Sequence, residues 1–283
     1  MSYKTIIVHA EKSRHAKQVI ALAASIAAQE EAHLAGIAAT GVSRYIYQSG
    51  MIDPMAPAAS DHLARHLDAL HERARAALDD FETQMQGSEV RSWEGALIDD
   101  EAGAGLALRG RYSDLLVLGQ VDRDQPSPVV MPDFPEYVVL NAGRPVLVVP
   151  FAGHFDHVGK RVLVAWDAGV AATRAVVNAI PMLRRADLVE VAVFNAEDAG
   201  DAHGDIAGAD IALYLARHGV KVDVIRQRTR IDIGSSLLSL AADLGSDMIV
   251  MGCYGHSRLR EILLGGVTRT MLQSMTVPVL MSA

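Results

Sequence analysis

The chain has 283 residues, half of them apolar and about a fifth charged, with a net charge of −8 and a single cysteine, Cys253. Such a composition suits a folded chain of one large or two ordinary domains. It excludes an internal disulfide, and with no basic cluster it argues against a nucleic-acid partner. The longest near-apolar stretch, Val19–Ala28, is too short to cross a bilayer. The opening residues MSYKTIIVHA read as a strand rather than a targeting signal, so no membrane partner and a cytoplasmic location are expected.

In chain order the first half reads as strand Lys4–Ala10, helix Arg14–Gln29, strand His33–Val42, a long helix Asp61–Gln86 and strand Glu89–Gly95. Helix Asp99–Arg109, strand Asp114–Gln120 and strand Arg144–Pro150 follow. The second half repeats the rhythm. Strand Arg161–Asp167 leads to helix Gly169–Ala186, in which Pro181 is expected to kink or end the helix. Strand Leu188–Ala196, helix Asp205–Gly219 and strand Val220–Gln227 come next. A helix capped by Asp232 and stopped by Gly245 precedes the apolar strand Asp247–Gly252. A short helix Val267–Met275 and strand Val277–Ser282 close the chain. Alternating strands and helices of this kind build parallel sheets covered on both faces. The fold class expected is two tandem doubly wound α/β domains with mainly parallel five-stranded sheets.

The halves overlay on themselves. IDDEAGAGLALRGRYSDLLVLG falls on IDIGSSLLSLAADLGSDMIVMG, and RPVLVV on VPVLMS, 133 residues apart. KTIIVHA laid on RVLVAWD gives a spacing of 157, leaving a surplus of 24 residues inside the first half, where Ser43–Ser60 has no counterpart. Self-similarity of this length indicates a duplicated domain. The expected boundaries are a first domain 1–150, a linker 151–159 and a second domain 160–283.

Four glycines stand out in VMGCYGHSRLREILLGGVTRT: Gly252 and Gly255 after a strand, Gly265 and Gly266 before a short helix. Ligands of open parallel sheets sit beyond the carboxyl ends of strands. Glycine allows a tight turn and close backbone approach, and the first amides of a helix attract anions. Thr268 adds a hydroxyl, and His256, Arg258 and Arg260 add positive charge. Neither a Walker A loop nor a G-x-G-x-x-G fingerprint is present. On these grounds alone, a phosphate cradle and a purely structural turn both stand.

The spacing Gly252-x2-Gly255-x9-Gly265, with Val267-Thr268 and VPVL beyond it, resembles the nucleotide-binding motif of the universal stress protein family, G-x2-G-x9-G-[ST]. VLVAWDAG resembles that family's first strand, whose final Asp contacts the nucleoside. The resemblance extends over both halves and implies a tandem member with a nucleotide-binding α-hydrolase-like fold. It implies ATP or a related nucleotide as ligand, with or without Mg2+. Gly252, Gly255, Gly265, Gly266, Val267 and Thr268 would lie at the phosphates and Asp167 at the ribose or base. Gly266 departs from the family's Ser or Thr, losing a hydroxyl and keeping an amide. The first half keeps Gly119 for Gly252 but has Asp122 for Gly255, Pro132 for Gly265, Asp133 for Gly266, Pro135 for Thr268 and Ala10 for Asp167. It is therefore not expected to bind a nucleotide in the family's manner.

The resemblance also implies pairing of the last strands, Pro145–Val149 with Pro278–Ser282, and allows a homodimer or an unidentified protein partner. A ligand-regulated module in stress response is the first functional expectation. A weak ATPase or nucleotide-dependent enzyme and a nucleotide-free scaffold are the alternatives, and no catalytic residue can be named. Asp167 could instead cap the following helix. Cys253 is read as a filler rather than a reactive thiol. His62, His66 and His71 are read as polar positions of an amphipathic helix rather than metal ligands.

Overall fold

The computed structural model describes residues 2–41, 57–122, 124–125, 127, 129–197, 206–254 and 266–283, with backbone alone for 57–63. The segment from Ser43 to Ala56 and the motif's middle, including Gly255 and Gly265, lie outside the described residues. Contacts divide the chain into two units, Tyr3–Ala142 and Gly143–Ala283.

The first unit contains β1 (Thr5–His9), α1 (Ala16–Glu30), β2 (His33–Ala39), α2 (Pro57–Gln86), β3 (Trp93–Ile98), α3 (Ala102–Gly110), β4 (Leu115–Gly119) and α4 (Phe134–Asn141). Its strands lie in the order β3-β2-β1-β4, all parallel. Helix α2 begins at Pro57, inside the stretch expected to be a loop. It packs over β2 so closely that a Cβ on Gly36 would meet the Phe81 ring at 2.6 Å. Strand β3 is a correction: it begins at Trp93, four residues after the expected start. Glu89–Ser92 alternates like a strand, but the β2 ladder begins only where Leu34 pairs with Trp93.

The second unit holds β5 (Val146–Val149), β6 (Arg161–Ala165), α5 (Val170–Leu183), β7 (Leu188–Phe194), α6 (Ala209–Arg217), β8 (Val222–Gln227), α7 (Ile233–Leu244), β9 (Met248–Gly252), α8 (Val267–Ser274) and β10 (Val279–Ser282). The order is β5-β10-β9-β6-β7-β8, parallel except for β5 against β10. In the antiparallel pair Val279 faces Val148 and Met281 faces Val146, all four fully buried. The caps are those expected for α7: Asp232 Oδ2 accepts the Ser235 amide at 2.8 Å, and Gly245 turns at φ 63°. Pro181 sits within the last turn of α5 without ending it, where the missing amide costs one ladder bond.

Both units anchor their first strand with one aspartate. Asp247 accepts the amides of Gly159 (3.0 Å), Lys160 (2.9 Å) and Arg161 (3.2 Å). Asp114 accepts those of Lys4 (2.7 Å) and Thr5 (3.1 Å). These bonds and the sheet ladders fix the repeat register. Ile6 pairs with Leu115 as Val162 pairs with Met248. The first strands are thus 156 residues apart, not 157, and the surplus in the first half is 23 residues. Apolar runs buried on both faces tolerate either alignment in sequence, whereas a ladder does not, since a slip by one exchanges the faces. In the corrected register Asp167 meets Glu11 rather than Ala10, and Ala165 meets His9.

Candidate functional site

In each unit the chain runs outward from the first strand and then returns to its other side. The strand order therefore reverses between β6 and β9, and between β1 and β4. The carboxyl ends of such a strand pair form the crevice where doubly wound sheets take ligands.

In the second unit, Asp167 follows β6 and Gly252 ends β9. Asp167 is exposed, and its Oδ1 accepts the Gly169 amide at 2.8 Å. That bond stiffens the turn into α5, whose N-cap is Gly169 itself. Oδ2 makes no hydrogen bond among the described residues. Gly252 has a packing reason of its own. A Cβ there would come within 2.5 Å of the Ala171 carbonyl carbon and closer still to the Ala172 nitrogen. Its lack of a side chain lets β9 touch the first turn of α5, which brings the Asp167 loop against the end of β9.

Gly252 itself takes no left-handed turn. Ala168 (φ 60°), Asn195 (φ 50°) and Tyr254 (φ 58°) follow three adjacent strands and carry that conformation without being glycine. Such outliers cost about 1–3 kcal/mol each and cluster at ligand sites. The Asn195 side chain accepts the Thr229 amide at 2.8 Å, a local bond that helps hold its turn.

Helix α8 contributes the remaining positions. Gly266 is its N-cap, and the Gly266 carbonyl accepts the amides of Arg269 (2.9 Å) and Thr270 (3.2 Å). The amides of Val267 and Thr268 have no acceptor among the described residues. They are the orphan donors that a helix start offers to an anion. Thr268 is 3% exposed. The start of α8 packs on the start of α7, where a Cβ on Gly234 would meet Thr270 at 2.8 Å. The structure thus joins Asp167 to Gly252 through α5, and seats Gly266, Val267 and Thr268 at a helix start. Cys253 is buried, and its amide donates to the Ser282 carbonyl at 2.8 Å. His71 turns its Nε2 to Asp99 at 2.7 Å; the His62 side chain lies outside the described residues. No group of potential metal ligands occurs among the described residues.

The corresponding crevice of the first unit is filled. His9, 3% exposed, packs its ring on Phe134 of α4 with centroids 5.0 Å apart. Their counterparts in the second unit are the smaller Ala165 and Val267. Pro135 removes the amide corresponding to that of Thr268. The Glu11 carboxylate lies beside Gly119, 3.8 Å from where a Cβ would stand. The His9–Phe134 plug was not anticipated from the sequence. The signal was present, because the 156-residue register sets a histidine on an alanine.

Burial pushes the His9 pKa below its ordinary 6.5, against the opposing charge of Glu11, and its buried Nε2 has no hydrogen-bond partner among the described residues. The unfolded chain takes up a proton near pH 6.5 that the folded chain refuses. His9 therefore contributes its full stability above that pH and loses it as the pH falls. The expected result is a urea midpoint lower at pH 5 than at pH 7.5, with a flatter dependence in His9→Phe. An unchanged dependence in that variant would contradict the assignment.

Residues 159–282 match the model of the universal stress protein family. Over 44 residues, 16% of this chain, the sequence is 43% identical to Universal stress protein MJ0577 of Methanocaldococcus jannaschii, a stretch spanning 27% of that relative's length. A universal stress protein from Archaeoglobus fulgidus has a similar structure, with a TM-score of 0.72 and 14% identity, over 98% of this chain and 95% of its own. A protein of unknown function from Pseudomonas aeruginosa aligns with a TM-score of 0.55 and 17% identity, over 99% and 92%. At these identities the two structures speak for the fold.

Proposed function

We propose, from the premise that the chain belongs to the universal stress protein family through residues 159–282, that its second unit binds ATP or a related nucleotide. The ligand acts in a stress response by biasing conformation or the choice of partner. The observation that carries this reading is the pair of amides at the start of α8, Val267 and Thr268, which have no acceptor among the described residues. With them stands an exposed carboxylate, Asp167, at the neighbouring strand end. The donor set suits the group: amides for phosphate oxygens, and a carboxylate that accepts from ribose hydroxyls or a base amine. Gly255 and Gly265 would complete the phosphate contacts. Mg2+ would arrive with the nucleotide, since the described residues hold no cluster of metal ligands.

Calorimetric titration with ATP tests this. One equivalent per chain is expected, because the first unit's crevice is filled by His9 and Phe134. Thr268→Pro removes one amide at a helix position where the first unit already carries Pro135 in an intact helix. It is expected to weaken ATP at least tenfold, the loss of about one charge-assisted hydrogen bond. Unchanged affinity in Thr268→Pro would show that α8 does not hold the phosphates, and two equivalents would refute the reading of the first unit.

A further inference from the structure

The loop between β1 and α1 in the first unit, Ala10–His15, is held by charge at several points. Lys12 pairs with Asp80 of α2, and Arg73 of α2 donates to the Lys12 carbonyl. Farther along, Arg14 Nη2 donates to Asp122 Oδ2 at 3.4 Å, and His15 Nε2 stands 3.7 Å from the same oxygen. Arg14 Nε donates to His15 Nε2 at 2.7 Å, so the imidazole steers the guanidinium. Asp122 Oδ1 accepts the Asp124 amide at 3.0 Å. The Asp122 side chain is only 11% exposed, against 59% for Arg14. A carboxylate drawn that far from water needs paired charge and donors, and it has both. Its counterpart in the second unit is Gly255, which brings no anion of its own.

We infer that the first unit carries a seat for an inorganic oxyanion, formed by the Arg14 guanidinium and the Asp124 amide, and that its own Asp122 occupies that seat. The comparison between the units rests on the reading of the second as an anion site. Asp122 is a tethered competitor, and its effective concentration at Arg14 excludes a free anion of ordinary affinity.

The test uses the full chain carrying Thr268→Pro, with inorganic phosphate as the probe and 31P line broadening as the readout. Asp122→Asn keeps the shape and removes the charge; Asp122→Gly empties the seat. Both are expected to tighten phosphate binding at least tenfold over the Thr268→Pro parent, and Arg14→Gln added to Asp122→Asn is expected to abolish the gain. No tightening in either Asp122 variant overturns the inference, as does a gain that survives Arg14→Gln. Should Asp122→Gly fail to fold, Asp122→Asn decides alone. Failure of the second unit's assignment would appear separately, as an unsubstituted chain that takes up no ATP, while the change on substituting Asp122 stays readable.

Discussion

Gly252→Ala is expected to lower the unfolding free energy by about 3 kcal/mol, the upper part of the usual range for overpacking, while Gly119→Ala changes it by less than about 1 kcal/mol. The two glycines occupy one position of the repeat, yet their surroundings differ. A methyl at 252 would press on the backbone of Ala171 and Ala172, within 2.5 Å. Backbone in a helix's first turn cannot yield as a side chain does. At 119 the nearest atoms are Val19 Cγ2 at 3.5 Å and a Glu11 carboxylate oxygen at 3.8 Å. Those are ordinary contacts. Chemical denaturation of both variants beside the unsubstituted chain measures the difference; equal losses at the two sites would refute the packing account.

Asp247→Ala is expected to cost about 3 kcal/mol and Asp114→Ala about 2 kcal/mol, given that hydrogen bonds to charged groups contribute roughly 1.5–3 kcal/mol each in favourable settings and less where the freed donors meet water. Asp247 collects three amides at the start of β6 and Asp114 two at the start of β1. Asp247→Asn should fall between Ala and the parent. It keeps an oxygen for Gly159 and Arg161, which share Oδ1, and loses the acceptor used by Lys160. Hydrogen exchange should show the amides of Gly159–Arg161 opening first in Asp247→Ala. Unaltered protection there would show that the carboxylate is not what anchors β6.

Much of the fold was legible because its signals are local. Asp232 and Gly245 bracket a helix by side-chain chemistry and backbone freedom, and both are seen in those roles. The shared 133-residue spacing of β4 and β9 and of β5 and β10 was readable without gaps, whereas α4, the counterpart of α8, was not expected from the sequence. What escaped depends on contacts across the fold. The one-residue error in the first strand hid Glu11 opposite Asp167 and His9 opposite Ala165, since two apolar runs align equally well either way. The reason for Gly252 was also hidden. Its neighbours, Ala171 and Ala172, lie some eighty residues earlier, and no spacing rule announces them. Of the candidate positions, Asp167, Gly252, Gly266, Val267 and Thr268 are described, and Gly255 and Gly265 remain expectations from the motif.

The antiparallel pairing of β5 with β10 bears on where the second half ends as a physical object. The family match begins at residue 159, but β10 takes its outer partner from Val146–Val149, upstream of that point. A fragment cut at the match would keep every parallel strand and leave a bare, apolar rim of main-chain donors and acceptors. Such a rim is a template for any extended strand that reaches it. The second half is thus complete only with a strand lent from beyond its homologous boundary, and a peptide spanning that strand is the natural reagent to restore a shorter piece.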